Sequence, residues 1–202
     1  VAIELIEGRR AVFIDKDGTL IHDVPYNVDP KNVRLTMGAG RALRRMKNAG
    51  YQLIVISNQS GVARGLFEEK HLLPVNRRIQ TLLASYGVKI DAFYYCPHGP
   101  DDDCECRKPM PGMILRAARD HGFDPQISWM IGDILNDVEA GNRAGCRTIH
   151  IDNGNETEWI RSAYRQPLYT VRDLTEAADI ICHEAGTSVS ACAVRPDAVF
   201  HC

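Results

Sequence analysis

Asp15 and Asp17 stand one residue apart in the segment Phe13-Ile14-Asp15-Lys16-Asp17-Gly18-Thr19-Leu20. Two carboxylates so spaced, joined by a third from elsewhere in the chain, supply hard oxygen ligands of the kind Mg2+ takes while keeping positions for phosphate and water. Asp15 and Asp133 suit direct ligation. A metal-neutralised Asp15 can attack phosphorus as a carboxylate nucleophile. Asp17 can protonate the departing oxygen and then activate the water that hydrolyses the acyl phosphate. Phosphoryl transfer asks chiefly for positioning and charge stabilisation, which gives Ser57, Lys108 and the backbone N–H groups around Gly18 their expected roles.

Asp-x-Asp-Gly is also an ordinary turn composition. What lifts it above a turn is the company it keeps. The chain offers Ser57-Asn58-Gln59-Ser60-Gly61, then Arg107-Lys108-Pro109, then Gly132-Asp133 with Asp137 following. Each group falls at or just beyond an expected strand end, where open parallel sheets bind ligands.

A second constellation is Cys96-Pro97-His98 followed by Cys104-Glu105-Cys106. Four soft or borderline ligands within one loop suffice for a closed tetrahedral Zn2+ site, which would be structural because no position is left for substrate. A Cys104 to Cys106 disulfide would be strained and would leave Cys96 and His98 without a role. Arg107 and Lys108 follow the last ligand directly, so a metal here would fix the phosphate-binding cation in place.

Around these groups the apolar pattern alternates between short β-rich runs and helical spacing, the mark of an α/β fold: a Rossmann-like parallel sheet flanked by helices. Strands are expected at 11–15, 52–57, 90–96, 128–132, 147–151 and 169–171. Helices are expected at 39–49, 67–86 (apolar stripe Leu72, Val75, Ile79, Leu82 and Tyr86, with a kink at Pro74), from near Pro111 to His121, at 135–144 and at 173–184. Gly50, Gly87, Gly122 and Gly145 sit where helices should give way to strands. One domain over 1–185 with a loose tail over 186–202 is the expected organisation.

With 202 residues, 45% hydrophobic composition and a formal charge of -2, the chain can bury a core without disulfides and has no cationic excess to draw it to nucleic acid or anionic lipid. The expected partner is a small polar metabolite. Neither a membrane-length apolar run nor a secretory leader pattern is present, and seven cysteines in this arrangement fit a reducing compartment, so the cytoplasm is expected. His22, His71, His121 and His150 are read as surface or packing residues, and Cys146, Cys182, Cys192 and Cys202 as buried or tail thiols.

The ordered set Asp-x-Asp-Gly-Thr, strand-end Ser, Lys, then Gly-Asp with a further Asp resembles the haloacid dehalogenase superfamily of phosphatases. The resemblance implies Asp15 as nucleophile, Asp17 as acid/base with its backbone carbonyl on Mg2+, Asp133 as a further metal ligand with Asp137 in support, and a fold without a large cap domain, which in this family implies a monomer. The metal loop running into Arg-Lys-Pro, with Ser57 to Gly65, looks like the heptose bisphosphate phosphatases; the histidinol-phosphate phosphatases share the loop and stand second. This implies a sugar phosphate substrate touching Asp23, Tyr26, Asn58, Gln59, Ser60 and Arg107, with Arg64 as helper. Several heptose phosphatases carry Lys where this chain has Ile134. A non-catalytic metal-stabilised binding module remains the third reading.

Overall fold

Six runs of β-branched, aromatic and aliphatic residues form one parallel sheet in the computed structural model, which describes residues 8–192. The strands are β1 (Ala11–Ile14), β2 (Gln52–Asn58), β3 (Ala92–Cys96), β4 (Trp129–Gly132), β5 (Arg147–Ile151) and β6 (Tyr169–Val171). Their spatial order is β3-β2-β1-β4-β5-β6. The chain therefore winds outward from β1 to β3, returns to the centre and winds the other way from β4, leaving a switch point between β1 and β4.

Alternation along each strand divides the core. Val12, Ile14, Leu53, Val55, Trp129 and Ile131 point into one apolar layer, and Ala11, Phe13, Ile54, Ile56 and Met130 into the other. The first layer is closed by α1 (Ala39–Asn48), α2 (Leu72–Ala84) and α5 (Leu174–Cys192). The second is closed by α3 (Gly112–His121) and α4 (Leu135–Ala144). Both helices of this second layer end on a left-handed glycine, Gly122 and Gly145, as expected.

Expectations about two helices need correction. Pro74 does not kink α2, because the helix starts at Leu72 and places the proline in its first turn, where no intrahelical N–H partner is lost. The buried stripe is Leu72, Val75, Ile79 and Leu83, with Leu82 and Tyr86 only partly covered. The last helix continues to Cys192 rather than ending at 184. The rest of the expected tail, 193–202, with Cys202, lies outside the described residues. Only loops and a short 3-10 turn at Pro30–Asn32 join β1 to α1, and a loop alone joins β3 to α3, so no large cap covers the strand ends among the described residues. Among the described residues no helix is long and apolar enough to cross a membrane.

Candidate active site

The carboxyl ends of β1, β2 and β4 converge through their register. Ile14 lies opposite both Val55 and Ile131, and the Asp15 N–H continues the ladder by donating to the Ile131 carbonyl at 2.9 Å. Asp15, Ser57 and Asp133 consequently leave three neighbouring strands on one rim. They line a cleft of about 280 Å³ together with Asp17, Asp23, Asn58, Lys108, Ile134 and Asn155.

Lys108 is the centre of charge. Its side chain is 3% exposed, and its ammonium contacts Asp15 Oδ1, Asp137 Oδ1 at 2.6 Å and the Ile56 carbonyl at 3.0 Å. Burial alone would lower the Lys108 pKa, but the Asp137 and Asp15 carboxylates more than reverse it, so the cation is held charged. Asp15 is driven the other way: burial raises its pKa well above the usual range, Lys108 opposes this, and Asp137, Asp133 and Asp17 add to the rise. Asp137 also closes α4 at its N-terminus, accepting from the Ile134 N–H at 3.3 Å.

Asp133 is fixed at three points. Thr19 Oγ1 donates to its Oδ1 at 2.9 Å, Asn155 Nδ2 donates to its Oδ2 at 2.7 Å, and His150 Nε2 lies 3.2 Å from its carbonyl. A carbonyl only accepts, so Nε2 of His150 carries the hydrogen. Burial raises the Asp133 pKa, Asp137 adds to this, and Asn155 and Thr19 oppose it. The turn that carries Asp17 is equally constrained. Gly18 has φ +83°, and a Cβ there would come within 2.1 Å of Asp133 Oδ2. A Cβ on Gly132 would meet Asp137 Oδ2 at 2.1 Å, so close approach requires glycine at both positions, and at Gly18 the positive φ requires it as well.

The Asp15, Asp133 and Asp137 carboxylates lie within 4.8 Å of one another. Three buried acids against one buried lysine leave a surplus of negative charge, and an all-oxygen donor set suits a hard divalent cation. A second set fits a different metal. Cys96, His98, Cys104 and Cys106 also present ligand atoms within 4.8 Å, with sulfur separations of 3.1 to 3.6 Å and His98 Nδ1 at 3.2 Å from Cys106 Sγ. These four could hold a metal ion. Burial raises the Cys96 and Cys106 thiols above the ordinary value, whereas at Cys104 the Arg107 backbone N–H and the neighbouring thiols outweigh burial and bring the pKa below it.

Of the residues expected to touch substrate, Asp23 and Asn58 line the cleft. Asn58 also clamps the metal loop: its Nδ2 donates to the Lys108 carbonyl and its Oδ1 accepts from the Lys108 N–H, both at 3.0 Å. Gln59 is buried, its carboxamide turned to Asp17 and Ser57. Tyr26 and Arg64 stack on one another at 5.6 Å, and Arg107 donates to the His98 carbonyl at 3.2 Å; neither these three nor Ser60 forms part of the cleft lining. Gly18 borders an adjoining cavity that shares Asp23 and Asn155 with the cleft. Ile134 lines the cleft itself.

Sequence reasoning missed Thr19, Asn153, Asn155, Glu156 and His150. Asn153 Nδ2 donates to the Gly18 carbonyl at 2.9 Å, and Glu156 accepts from the Leu135 N–H at 2.6 Å, so the loop after β5 grips both the Asp17 turn and the start of α4. His150 is buried, as the packing alternative of its reading expects, and in addition it bonds the Asp133 carbonyl, a partner the sequence did not show. The signal was available: the loop Asp152-Asn153-Gly154-Asn155-Glu156 is itself a polar strand end.

This site sits in a chain with close relatives. A family model described as HAD-hydrolase-like matches residues 105–177. The D-glycero-beta-D-manno-heptose-1,7-bisphosphate 7-phosphatase of Pasteurella multocida is 40% identical over 174 residues, 82% of this chain and 95% of that protein. The D-glycero-D-manno-heptose-1,7-bisphosphate 7-phosphatase of Thermosynechococcus vestitus is 36% identical over 188 residues, 86% of this chain and 96% of its own. Among solved structures, the D,D-heptose 1,7-bisphosphate phosphatase from B. bronchiseptica, complexed with magnesium and phosphate, superposes with a TM-score of 0.73 at 31% identity, covering 87% of this chain and 99% of that one. The chain belongs to the haloacid dehalogenase superfamily of phosphatases, in the branch of these heptose bisphosphate phosphatases. It is an enzyme, a phosphoric monoester hydrolase.

Proposed function

We propose that the chain removes the 7-phosphate of D-glycero-D-manno-heptose 1,7-bisphosphate through an aspartyl-phosphate on Asp15, in the synthesis of nucleotide-activated heptose for lipopolysaccharide or a related glycan. One observation carries the reading: a buried Lys108, its pKa raised by Asp137 and Asp15, lies against the carboxylate of Asp15 in a cleft of about 280 Å³. The names of the relatives supply the sugar.

In the first half-reaction an Asp15 oxygen bonds to phosphorus while the P–O bond to the sugar breaks, and the leaving oxygen takes a proton from Asp17. In the second, Asp17 takes a proton from water as the water oxygen bonds to phosphorus, the P–O bond to Asp15 breaks, and inorganic phosphate departs. Lys108, the Ser57 hydroxyl and the N–H groups around Gly18 hold the phosphoryl oxygens throughout. Mg2+, held by the carboxylates of Asp15 and Asp133 and the Asp17 carbonyl with Asp137 in support, would neutralise the phosphate and the nucleophile.

Cys96, His98, Cys104 and Cys106 would hold a structural Zn2+, which would fix the loop that carries Arg107 and Lys108. Asp23, Tyr26, Asn58, Ser60, Arg64 and Arg107 address the sugar and its second phosphate. The enzyme acts as a cytoplasmic monomer on this small substrate, without nucleic acid or membrane; reduced ligand thiols fit that compartment.

Specificity constants for heptose 1,7-bisphosphate and histidinol phosphate, measured with Mg2+, test the reading. A clear preference for the heptose is expected, whereas a marked preference for histidinol phosphate would overturn the substrate. Asp15→Asn should abolish turnover; retained activity would remove the covalent mechanism.

A further inference from the structure

Gln59 follows β2 directly and is 7% exposed. Its Nε2 lies 3.0 Å from Asp17 Oδ2 and 2.9 Å from Ser57 Oγ. A carboxylate can only accept, so the atom facing Asp17 is the amide nitrogen, and its two hydrogens serve the two partners one each. Ser57 Oγ thereby acts as acceptor toward Gln59 and keeps its own hydrogen for another acceptor. Lys16, 1% exposed at its side chain, holds the same Asp17 oxygen at 3.2 Å. The Gln59 backbone N–H is anchored to the Cys96 carbonyl at 2.7 Å, so the amide is carried by a rigid strand end.

We propose that Gln59 is a positioning residue that sets the Asp17 carboxylate and the Ser57 hydroxyl on the phosphoryl group and makes no contact with the sugar. The proposal rests on the reading of Asp17 as acid/base. Asn58 and Gln59 then divide the work: the first amide fixes the Lys108 backbone, the second fixes the proton-transfer group. A displaced Asp17 leaves attack by Asp15 possible where the departing oxygen needs no proton, but slows protonation of a sugar alkoxide and the activation of water.

The test uses the full chain with Mg2+, and Gln59→Met, which keeps length and volume but removes the amide. For the heptose bisphosphate, kcat should fall on the order of 10- to 100-fold with KM within about twofold. With p-nitrophenyl phosphate, whose leaving group departs without protonation, a first-turnover burst of nitrophenolate should persist and the steady state after it should slow. Introduced beside Asp17→Asn, Gln59→Met should cost less than about twofold more, since both changes act through one group.

A raised KM at unchanged kcat would make Gln59 a substrate contact and overturn the proposal. So would equal losses in burst and steady state, additive effects with Asp17→Asn, or wild-type kinetics. If Gln59→Met does not fold, Gln59→Asn, which keeps the amide but shortens its reach, should give the same split. Asp17→Asn alone at the wild-type rate would overturn the acid/base reading and this proposal with it. An inactive Asp17→Asn beside a fully active Gln59→Met would overturn this proposal alone.

Discussion

Asn155, on the loop after β5, donates from Nδ2 to Asp133 Oδ2 at 2.7 Å and forms part of the cleft wall. An outer amide that orients a metal-binding carboxylate typically alters affinity by about 10- to 100-fold when removed. Asn155→Ala should therefore weaken Mg2+ binding by about tenfold or more, read by calorimetry, and its activity should recover toward wild type at high Mg2+.

Lys108 offsets two buried carboxylates, Asp15 and Asp137. Lys108→Met should abolish turnover and destabilise the fold by about 3–5 kcal/mol in urea denaturation, because it leaves uncompensated buried charge. The Asp15 pKa is already raised by burial and would rise further. A folded pKa above the unfolded one means stability is lost as pH rises, so the deficit should shrink on going from about pH 7.5 to about pH 5.5.

Removal of the ion proposed on Cys96, His98, Cys104 and Cys106 should lower the melting temperature and kcat together while leaving the reaction products unchanged. Cys104→Ser should behave alike. Unaltered melting and turnover after chelation would remove the structural role of that loop.

Glu139 on α4 accepts from Arg143 Nε at 2.9 Å and from Arg165 Nε at 2.7 Å, tying the connection before β6 to the helix. Burial tends to raise its pKa, but the two guanidinium groups lower it below the ordinary carboxylate value. The folded pKa thus lies under the unfolded one, so the contribution is complete at neutral pH and is lost as pH falls through the folded value. Glu139→Gln should cost on the order of 1–2 kcal/mol at pH 7, and thermal melts of the two proteins should converge below roughly pH 4.

Much of the fold was legible because strand and helix periods differ. Each expected strand is present within two residues, and the glycines at 122 and 145 mark helix ends as their positive φ requires. Where the reading failed, local pattern was the wrong guide. Pro74 looked like an interruption because the helix was expected to begin at 67, and only the start of α2 at Leu72 makes it a first-turn residue. His150 carries no motif and gained its meaning from the pairing of Gly132 with His150 across β4 and β5.

The sequence by itself determined which chemistry is available: paired acids, a strand-end serine, a lysine beside four soft ligands, and a further Gly-Asp, in an order that fits one superfamily. Only the tertiary structure decided what each polar side chain acts upon. Asn58 and Gln59 are adjacent in the chain, yet one bonds Lys108 and the other Asp17. Asn155 reaches an acid twenty-two positions before it. Such partners follow from the strand order β3-β2-β1-β4-β5-β6, which brings distant strand ends to one rim. Hydrophobic periodicity fixes which face of a strand is buried but says nothing of which strand lies beside it, and hydrogen bonds act only over the few ångströms that this adjacency creates.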